Sequence, residues 1–234
     1  MLPLNDDTPT DSKPVVTVAL IVACTLVFLY QSSLPPSPGQ IFVYQYGAIP
    51  AVLFGHAALP PQALAVPAFS TILTSMFLHG SLMHLIGNML YLWVFGNNIE
   101  DVMGAAKFIV FYVLCGVIAA FSHALTDPMS TVPMVGASGA ISGVLGAYLL
   151  LFPHARILLL APVVGTTYVP AAIVLGFWFV MQLLSGGASL GAQGGGVAFF
   201  AHIGGFVAGM VLIGFFKRPE VRFFNPARTS SWRY

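Results

Sequence analysis

Six long runs of this chain contain almost nothing that favours water, and they constrain the fold more than any other feature. Lys, Arg, Asp and Glu are absent from these runs except at their ends. A helix that crosses a bilayer needs roughly 20 mostly apolar residues. Of the 234 residues, 58% are hydrophobic and only 6% are charged, whereas about a quarter of the residues in a soluble domain are charged. The pattern predicts an all-α membrane protein with six transmembrane helices, at about 15–31, 80–98, 106–125, 134–152, 166–184 and 197–216.

The basic residues predict how these helices are oriented. If the N-terminus is cytoplasmic, the outer segments 32–79, 126–133 and 185–196 contain no Lys or Arg. All eight basic residues then lie on the inner side or at an inner helix end: Lys13, Lys107, Arg156, Lys217, Arg218, Arg222, Arg228 and Arg233. Cytoplasmic segments of membrane proteins are enriched in these residues. Both termini are therefore predicted to be cytoplasmic.

The chain is predicted to form one membrane domain, residues 14–218, between two polar tails. Residues 1–13 are interpreted as a disordered cytoplasmic tail and residues 219–234 as a basic cytoplasmic tail. The first apolar run follows acidic residues and lacks a cleavage site, which indicates a retained helix rather than a signal peptide. The first outer loop, about 48 residues long, is rich in proline and in large apolar side chains, so it is expected to lie partly in the lipid interface. The Gly-rich segment 185–196 has the composition of a flexible hinge.

Composition gives no sign of a metal, a cofactor or a nucleic-acid partner. Cys24 and Cys115 lie within predicted helices, where a free cysteine behaves as a small apolar side chain. No Cys or His cluster has the spacing of a zinc site. The net charge is only +1, and no basic aromatic surface is evident. Composition therefore indicates membrane lipid as the surroundings and no nucleic-acid partner.

Two polar residues stand out because they lie in apolar runs. Ser138 occurs in Gly-Ala-Ser-Gly and His202 in Ala-His-Ile-Gly-Gly, and a polar group in hydrocarbon needs a partner or a task. Together with His84, both lie four or five residues into spans that enter from the predicted outer face. At 1.5 Å per residue this depth is roughly 6–8 Å. Three residues from distant parts of the chain are therefore expected at one level in the membrane.

Small residues allow the helices that carry Ser138 and His202 to come close together. Gly139 and Gly143 are four residues apart in one span, and Ala201, Gly205 and Gly209 form a similar ladder in another. Such ladders bring helix backbones together in lipid. Plain helix packing is the alternative interpretation. A serine and a histidine must come within about 2.6–3.2 Å to share a proton, and the two ladders favour this pairing of a nucleophile with its base.

His84 and Asn88 are candidates for stabilising a developing oxyanion. They are four residues apart and therefore lie on one helix face, and both side chains can donate hydrogen bonds. Ser138 lies in the first turn of its helix, where its own N–H lacks an intrahelical partner. Among the acidic residues only Asp127 is external on this topology, and none lies in a span. The pattern therefore predicts a Ser–His dyad rather than a triad with a carboxylate.

With these motifs the chain resembles the rhomboid intramembrane serine proteases. The resemblance rests on His79 to Asn88 with the following Trp93, Gly96 and Glu100, on residues 136–139, and on residues 201–209. It implies a six-transmembrane-helix rhomboid bundle with a long first outer loop and no cofactor. It also implies Ser138 as nucleophile, His202 as base, and His84, Asn88 and the Ser138 N–H as the oxyanion hole. The implied substrates are single-span transmembrane proteins, cut near their outer end at small residues beside helix-breaking sequence.

The chain departs from the family pattern in two places. The position four residues after the nucleophile, often a Tyr that stacks on the base, is Ser142 here, and the first outer loop lacks the common Trp–Arg pair. The family places a substrate gate near spans 2 and 5, where Trp178 and Phe179 occur. Packing or lipid contact is the preferred interpretation of these two aromatics. His79 is interpreted as an anchor of the first loop, and Glu100 as a structural residue with specific hydrogen bonds, since the helix dipole disfavours it there.

Two other functions compete with the protease. One is a catalytically silent rhomboid-like protein that binds transmembrane clients, although such a protein needs none of Ser138, His202, His84 and Asn88. The other is a small transporter or channel, but transporters tend to show internal repeats and polar residues at the midplane, which this chain lacks. By analogy, the short form of the chain suggests a bacterial plasma membrane. The hypothesis taken forward is a serine endopeptidase that works within the membrane through an acyl-enzyme.

Overall fold

The computed structural model describes residues 2–161, 165–189 and 198–224. Most of the predicted hinge at 185–196 and the end of the predicted basic tail lie outside these residues. The described chain is mostly helical and also contains a small sheet. Its strands and helices are, in order, β1 (Leu2–Asp6), α1 (Val15–Ser33), α2 (Pro36–Tyr46), α3 (Pro50–Leu53), α4 (Thr71–Thr74), α5 (Leu82–Tyr91), α6 (Asn97–Met103), α7 (Ala105–Ala124), α8 (Ser138–Leu151), β2 (Arg156–Ala161), β3 (Gly165–Pro170), α9 (Ala171–Ser189) and α10 (Phe199–Phe216).

Four helices are long and apolar enough to cross a membrane, namely α1, α7, α9 and α10, with 18 to 20 residues each. A fifth candidate is a bent pair in which Ala68–Phe77 meets Leu82–Met103 at 82°. The second half of this pair joins α5 to α6 through a π-helical turn, Leu92–Gly96. The described chain is therefore a multi-pass membrane protein with four or five candidate spans.

The predicted fourth span, 134–152, is the one that differs most in length. Helix α8 begins only at Ser138 and has 14 residues, which is about 21 Å at 1.5 Å per residue. The residues before it are not helical, and Gly136 has a φ of +124°, a conformation that only glycine adopts readily. The chain therefore turns at Gly136, and Ser138 becomes the first residue of the helix.

Helix α8 lies in the centre of the bundle and packs closely on α10. Most of its residues are buried, including Tyr148, which is fully buried. A Cβ added to Gly205 would overlap the carbonyl oxygen of Gly139, and a Cβ added to Gly209 would overlap that of Gly143. The two ladders of small residues thus bring the backbones of α8 and α10 into contact, as predicted from their spacing.

The sheet corrects the all-α prediction. Strands β1, β2 and β3 form an antiparallel sheet in that order, with Leu2 opposite Leu160 and Arg156 opposite Pro170. The β2–β3 pair occupies the predicted inner loop and the start of the predicted fifth span, so α9 begins at Ala171 rather than near residue 166. In β2, Ile157 and Leu159 are buried, and this alternation of side chains provides the sheet with its packed face.

Residues 1–13 are predicted to be disordered, but the described part of this segment, from Leu2 onward, is held by strand pairing and by long-range hydrogen bonds. Besides the β1–β2 pairing, the Asp6 carboxylate accepts hydrogen bonds from Asn98 Nδ2 at 2.9 Å and from the Tyr148 hydroxyl at 2.5 Å. The Asp101 carboxylate accepts from the backbone N–H of Ser12 at 2.9 Å. The partners in these hydrogen bonds are 89, 92 and 142 residues apart along the chain, which is why local composition does not reveal them.

Glu100 explains why α1 begins where it does. Its carboxylate accepts hydrogen bonds from the backbone N–H groups of Val16 and Thr17, at 2.9 and 2.8 Å, and from the Thr17 hydroxyl at 2.8 Å. The first N–H groups of a helix have no intrahelical acceptors, so Glu100 satisfies two of them from a neighbouring helix. The specific hydrogen bonds predicted for Glu100 are confirmed.

The segment between α1 and α5, predicted as a long loop, contains three short helices, α2, α3 and α4. It packs on the bundle through a second apolar cluster that includes Ala48, Leu53 and Ile72. The backbone of Ala48 also forms an isolated bridge with Met134. This bridge holds the segment beside the turn that precedes α8.

Candidate active site

Ser138 and His202 meet where α8 and α10 begin. The Oγ of Ser138 lies 2.8 Å from Nε2 of His202. Ser138 is the first residue of α8, and His202 lies in the first turn of α10. The contact is made because Gly205, three residues after His202, packs directly against the Gly139 carbonyl. The structure brings together the two residues that the sequence pairs as nucleophile and base.

The other ring nitrogen of His202 contacts Gln182 of α9, a residue that the sequence analysis missed. Nδ1 of His202 lies 2.8 Å from Oε1 of Gln182. An amide oxygen only accepts hydrogen bonds, so this contact is a hydrogen bond when Nδ1 carries the proton, the tautomer in which Nε2 can accept the proton of the Ser138 hydroxyl. A glutamine within an apolar helix is itself a signal, since a polar group in lipid needs a partner.

An aromatic ring from α9 also lies beside His202. The ring of Trp178 is 5.8 Å from the imidazole, centre to centre, at an angle of 37°. Phe179 instead stacks on Phe206 of α10 at 4.5 Å, which agrees with its interpretation as a packing residue. Ser142, at the position where the family pattern often has a Tyr, donates a hydrogen bond to the Ser138 carbonyl at 2.6 Å. The aromatic neighbour of His202 therefore comes from α9 and not from α8.

His84 lies against the turn at Gly136, two residues before Ser138. A Cβ on Gly136 would be 2.7 Å from Cε1 and 2.8 Å from Nε2 of His84. The backbone N–H of Gly80 donates to Nδ1 of His84 at 3.4 Å, so Nδ1 is the acceptor and Nε2 carries the proton. This nitrogen is therefore a donor that faces the segment leading into Ser138.

Asn88 lies one turn after His84 on α5. It is buried, and its Nδ2 donates a hydrogen bond to the His84 carbonyl at 3.0 Å. An amide NH₂ carries two donors, so one remains for another acceptor. As the first residue of α8, Ser138 also has a backbone N–H without an intrahelical acceptor. Three donors of the kind that can stabilise an oxyanion are thus carried by residues that line the same cavity as the Ser138 hydroxyl.

These groups share one cavity of about 1500 Å³. Ser138, His202, His84, Asn88 and Trp178 all line it. Part of its wall comes from residues 126–135, which include several polar side chains. His123 of α7 also lines the cavity, as does Asp127.

Comparisons with known proteins relate this chain to one family. A family model, the Rhomboid domain, matches residues 67–219. This chain belongs to the rhomboid family. It is 34% identical over 146 residues to the mitochondrial Rhomboid protein 1 of Saccharomyces cerevisiae, which is 60% of this chain and 40% of that protein. It is 34% identical over 131 residues to Rhomboid protease GluP of Bacillus subtilis, 56% of this chain and 25% of that protein.

A third relative is the mitochondrial presenilin-associated rhomboid-like protein A of Danio rerio. It is 31% identical over 170 residues, 67% of this chain and 42% of that protein. The matched part is less than half the length of each of these three relatives. The family model covers every helix from α5 to α10 and, apart from Pro50, all the residues that line the cavity around Ser138.

His79, another residue of the rhomboid motif, does not line the cavity but contacts His84, which does. His79 is fully buried, and its ring lies 5.2 Å from that of His84. Its carbonyl accepts a hydrogen bond from Gln31 of α1 at 3.0 Å. His79 thus holds the segment before α5 against α1, consistent with the anchoring role predicted for it. Within the described residues, no group of three His, Cys, Asp or Glu is placed to hold a metal ion.

Proposed function

We propose that this rhomboid is an intramembrane serine endopeptidase with Ser138 as its nucleophile and His202 as its general base. The observation that carries the proposal is the 2.8 Å contact between Oγ of Ser138 and Nε2 of His202, with the Nδ1 proton directed to Gln182. A hydroxyl becomes a nucleophile when an adjacent base can take its proton as it attacks. The geometry supports this chemistry without further rearrangement.

The reaction proceeds through an acyl-enzyme. Oγ of Ser138 attacks the scissile carbonyl carbon while its proton passes to Nε2 of His202, and the carbonyl oxygen becomes an oxyanion. The carbon–nitrogen bond then breaks, and His202 gives the proton to the leaving amine. A water molecule, activated by the same nitrogen, attacks the ester and releases the new carboxyl terminus. Ser138 recovers its proton at the end of the cycle.

The oxyanion is stabilised by three donors in this account: Nε2–H of His84, the free amide N–H of Asn88, and the backbone N–H of Ser138. Donors that are fixed before the reaction stabilise charge at little reorganisation cost. Removing one such donor typically lowers kcat by about 10²–10³-fold. The position of Ser138 at the N-terminus of α8 adds the favourable end of the helix dipole.

The substrates we propose are single-span transmembrane proteins, cleaved near the outer membrane face at small residues beside helix-breaking sequence. In this proposal the membrane domain comprises residues 14–218 and has six spans. The second span is α5–α6 and the fourth is α8. The segment between α1 and α5 lies on the outer side of the membrane. The distribution of Lys and Arg supports cytoplasmic termini. We propose the bacterial plasma membrane as the location, although two of the relatives named above are mitochondrial. The proposed reaction requires no cofactor.

Cleavage of a model transmembrane substrate by the purified protein tests the proposal. We expect Ser138→Ala and His202→Ala to reduce cleavage by at least about 10³-fold, as for other serine-protease nucleophiles and bases, while thermal unfolding stays unchanged. Ser122→Ala and His154→Ala are matched controls, because Ser122 bonds only within α7 and His154 is exposed. Near-normal cleavage by Ser138→Ala or His202→Ala would overturn the assignment. Client binding without any cleavage by the wild type would favour the silent rhomboid-like protein.

A further inference from the structure

Helix α9 makes two contacts with the imidazole of His202, one turn apart. Gln182 meets Nδ1 at 2.8 Å, and Trp178 lies beside the ring at 5.8 Å. Residues four apart lie on the same face of a helix, so one strip of α9 faces the base. Both side chains are half-buried and point toward the α10 surface that carries His202.

A neutral imidazole can carry its proton on either nitrogen, and only one choice suits a base. If Nε2 carried the proton, His202 would donate to Ser138 and could not accept from it. An acceptor opposite Nδ1 draws the proton there and also limits rotation of the ring. In the triad of other serine proteases a carboxylate does this work; among the described residues here, the group hydrogen-bonded to Nδ1 is an amide.

An amide suits this location because it is neutral. A carboxylate within a membrane-spanning helix is costly to bury, whereas an amide oxygen accepts a hydrogen bond without carrying a charge. The Gln182 oxygen therefore orients His202 without that electrostatic cost. Trp178 restricts the ring from its side, a contact that Ser142 is too small to make.

We propose that Gln182 is a positioning residue for His202, which fixes the tautomer and the orientation of the base, and that Trp178 assists by holding the plane of the ring. The proposal rests on the proposed function, since it concerns the base of that reaction. It makes α9 part of the catalytic apparatus, so that Ser138, His202 and their support come from three different helices.

Enzyme kinetics with a transmembrane substrate test the role of the Gln182 oxygen. Gln182→Met keeps the shape of the side chain but removes the acceptor. General-base catalysis contributes about 10²–10⁴-fold, so we expect partial loss of the base to lower kcat by about ten- to a hundredfold with KM nearly unchanged. Gln182→Glu restores an acceptor and is expected to recover most of the lost kcat. Gln45→Met is the matched control, since the amide of Gln45 bonds a carbonyl of the α1–α5 segment.

A readout that needs no catalysis separates this proposal from the proposed function. In protein labelled with ¹⁵N-histidine and held in nanodiscs, the His202 resonances, assigned by their loss in His202→Ala, report which nitrogen is protonated. We expect protonated Nδ1 and unprotonated Nε2 in the wild type, and a mixture of tautomers in Gln182→Met. If the wild type shows protonated Nδ1 but cleaves no substrate, the proposed protease function is wrong, while the effect of Gln182 on the His202 tautomer still stands. Unchanged tautomer and kcat in Gln182→Met would overturn the role of Gln182, as would equal losses in Gln182→Met and Gln182→Glu.

Discussion

Gly136 is the residue whose backbone most directly shapes the site. Its φ of +124° turns the chain so that α8 starts at Ser138, and its missing side chain leaves room for the imidazole of His84. One residue thus affects both the start of the helix that carries Ser138 and the position of His84, a predicted oxyanion donor. Its role is steric and conformational.

Gly136→Ala is expected to lower kcat by about ten- to a hundredfold, because displacing one oxyanion donor has effects of this order or larger. The new Cβ would lie 2.7 Å from Cε1 of His84 and would also strain the backbone. Cleavage kinetics on folded protein measure the effect. Gly176→Ala on α9 is the control, since its Cβ meets nothing within 4 Å. Equal kcat values for the two variants would contradict the role of Gly136.

Asp6 is a second residue with an individual effect, here on stability. Burial raises its pKa above the ordinary value of 3.8, and hydrogen bonds from Tyr148, Thr8 and Asn98 only partly oppose that effect. The folded protein therefore holds a proton on Asp6 more tightly than the unfolded chain. The resulting stability is present at low pH and is lost as pH rises through the folded pKa of Asp6.

Asp6→Asn is expected to remove this component of the pH dependence. Thermal unfolding of the wild type and of Asp6→Asn, measured from about pH 4 to pH 8, should show the wild type losing stability relative to the variant as pH rises. Asp11→Asn, at an exposed position, serves as the control. A difference between wild type and Asp6→Asn that stays constant with pH would contradict the account.

At the scale of elements, the packing of α8 on α10 determines whether Ser138 can reach His202. The two helices come together at Gly139, Gly143, Gly205 and Gly209, where backbone lies on backbone. Apolar side chains gain little from meeting each other in lipid, so close van der Waals contact supplies much of the attraction between the helices. The stability of the bundle and the contact between Ser138 and His202 therefore depend on the same small residues.

Gly209→Ala is expected to destabilise the protein by about 1–3 kcal/mol, the usual range for overpacking, and to lower kcat by widening the distance between α8 and α10. Gly214→Ala on the same helix is the control, because its Cβ would make only an ordinary contact with Phe223 at 3.8 Å. Unfolding in a denaturing detergent compares the two. Equal free energies of unfolding for the two variants would contradict the close packing of α8 against Gly209.

At the scale of the whole molecule, regularities along the chain predicted most of the helices. The charge-free runs indicated α1, α7, α9 and α10 because a spanning helix must be apolar along its whole length. The four-residue spacing of glycines indicated the α8–α10 contact. Ser138 and His202 were predicted to interact because burying an isolated polar residue in such a run is costly unless it has a partner.

Other features depend on contacts that no local pattern reveals. Strand β1 pairs with β2 about 150 residues away, and the apolar residues of β2 resemble a continuation of the membrane helices. The late start of α8 depends on the backbone of Gly136. Gln182 lies 20 residues before His202 in a run typical of a plain transmembrane helix, so the contact between the two side chains forms only when α9 and α10 are packed together.

The central claim is that Ser138 is an activated nucleophile in the folded protein. Labelling of the detergent-solubilised protein with a fluorophosphonate, followed by peptide mapping by mass spectrometry, tests it most directly. The account predicts a single adduct on Ser138 that is lost in His202→Ala, while Ser122→Ala labels at the wild-type rate. An adduct on another serine, or cleavage of a transmembrane substrate that persists in Ser138→Ala, would contradict it.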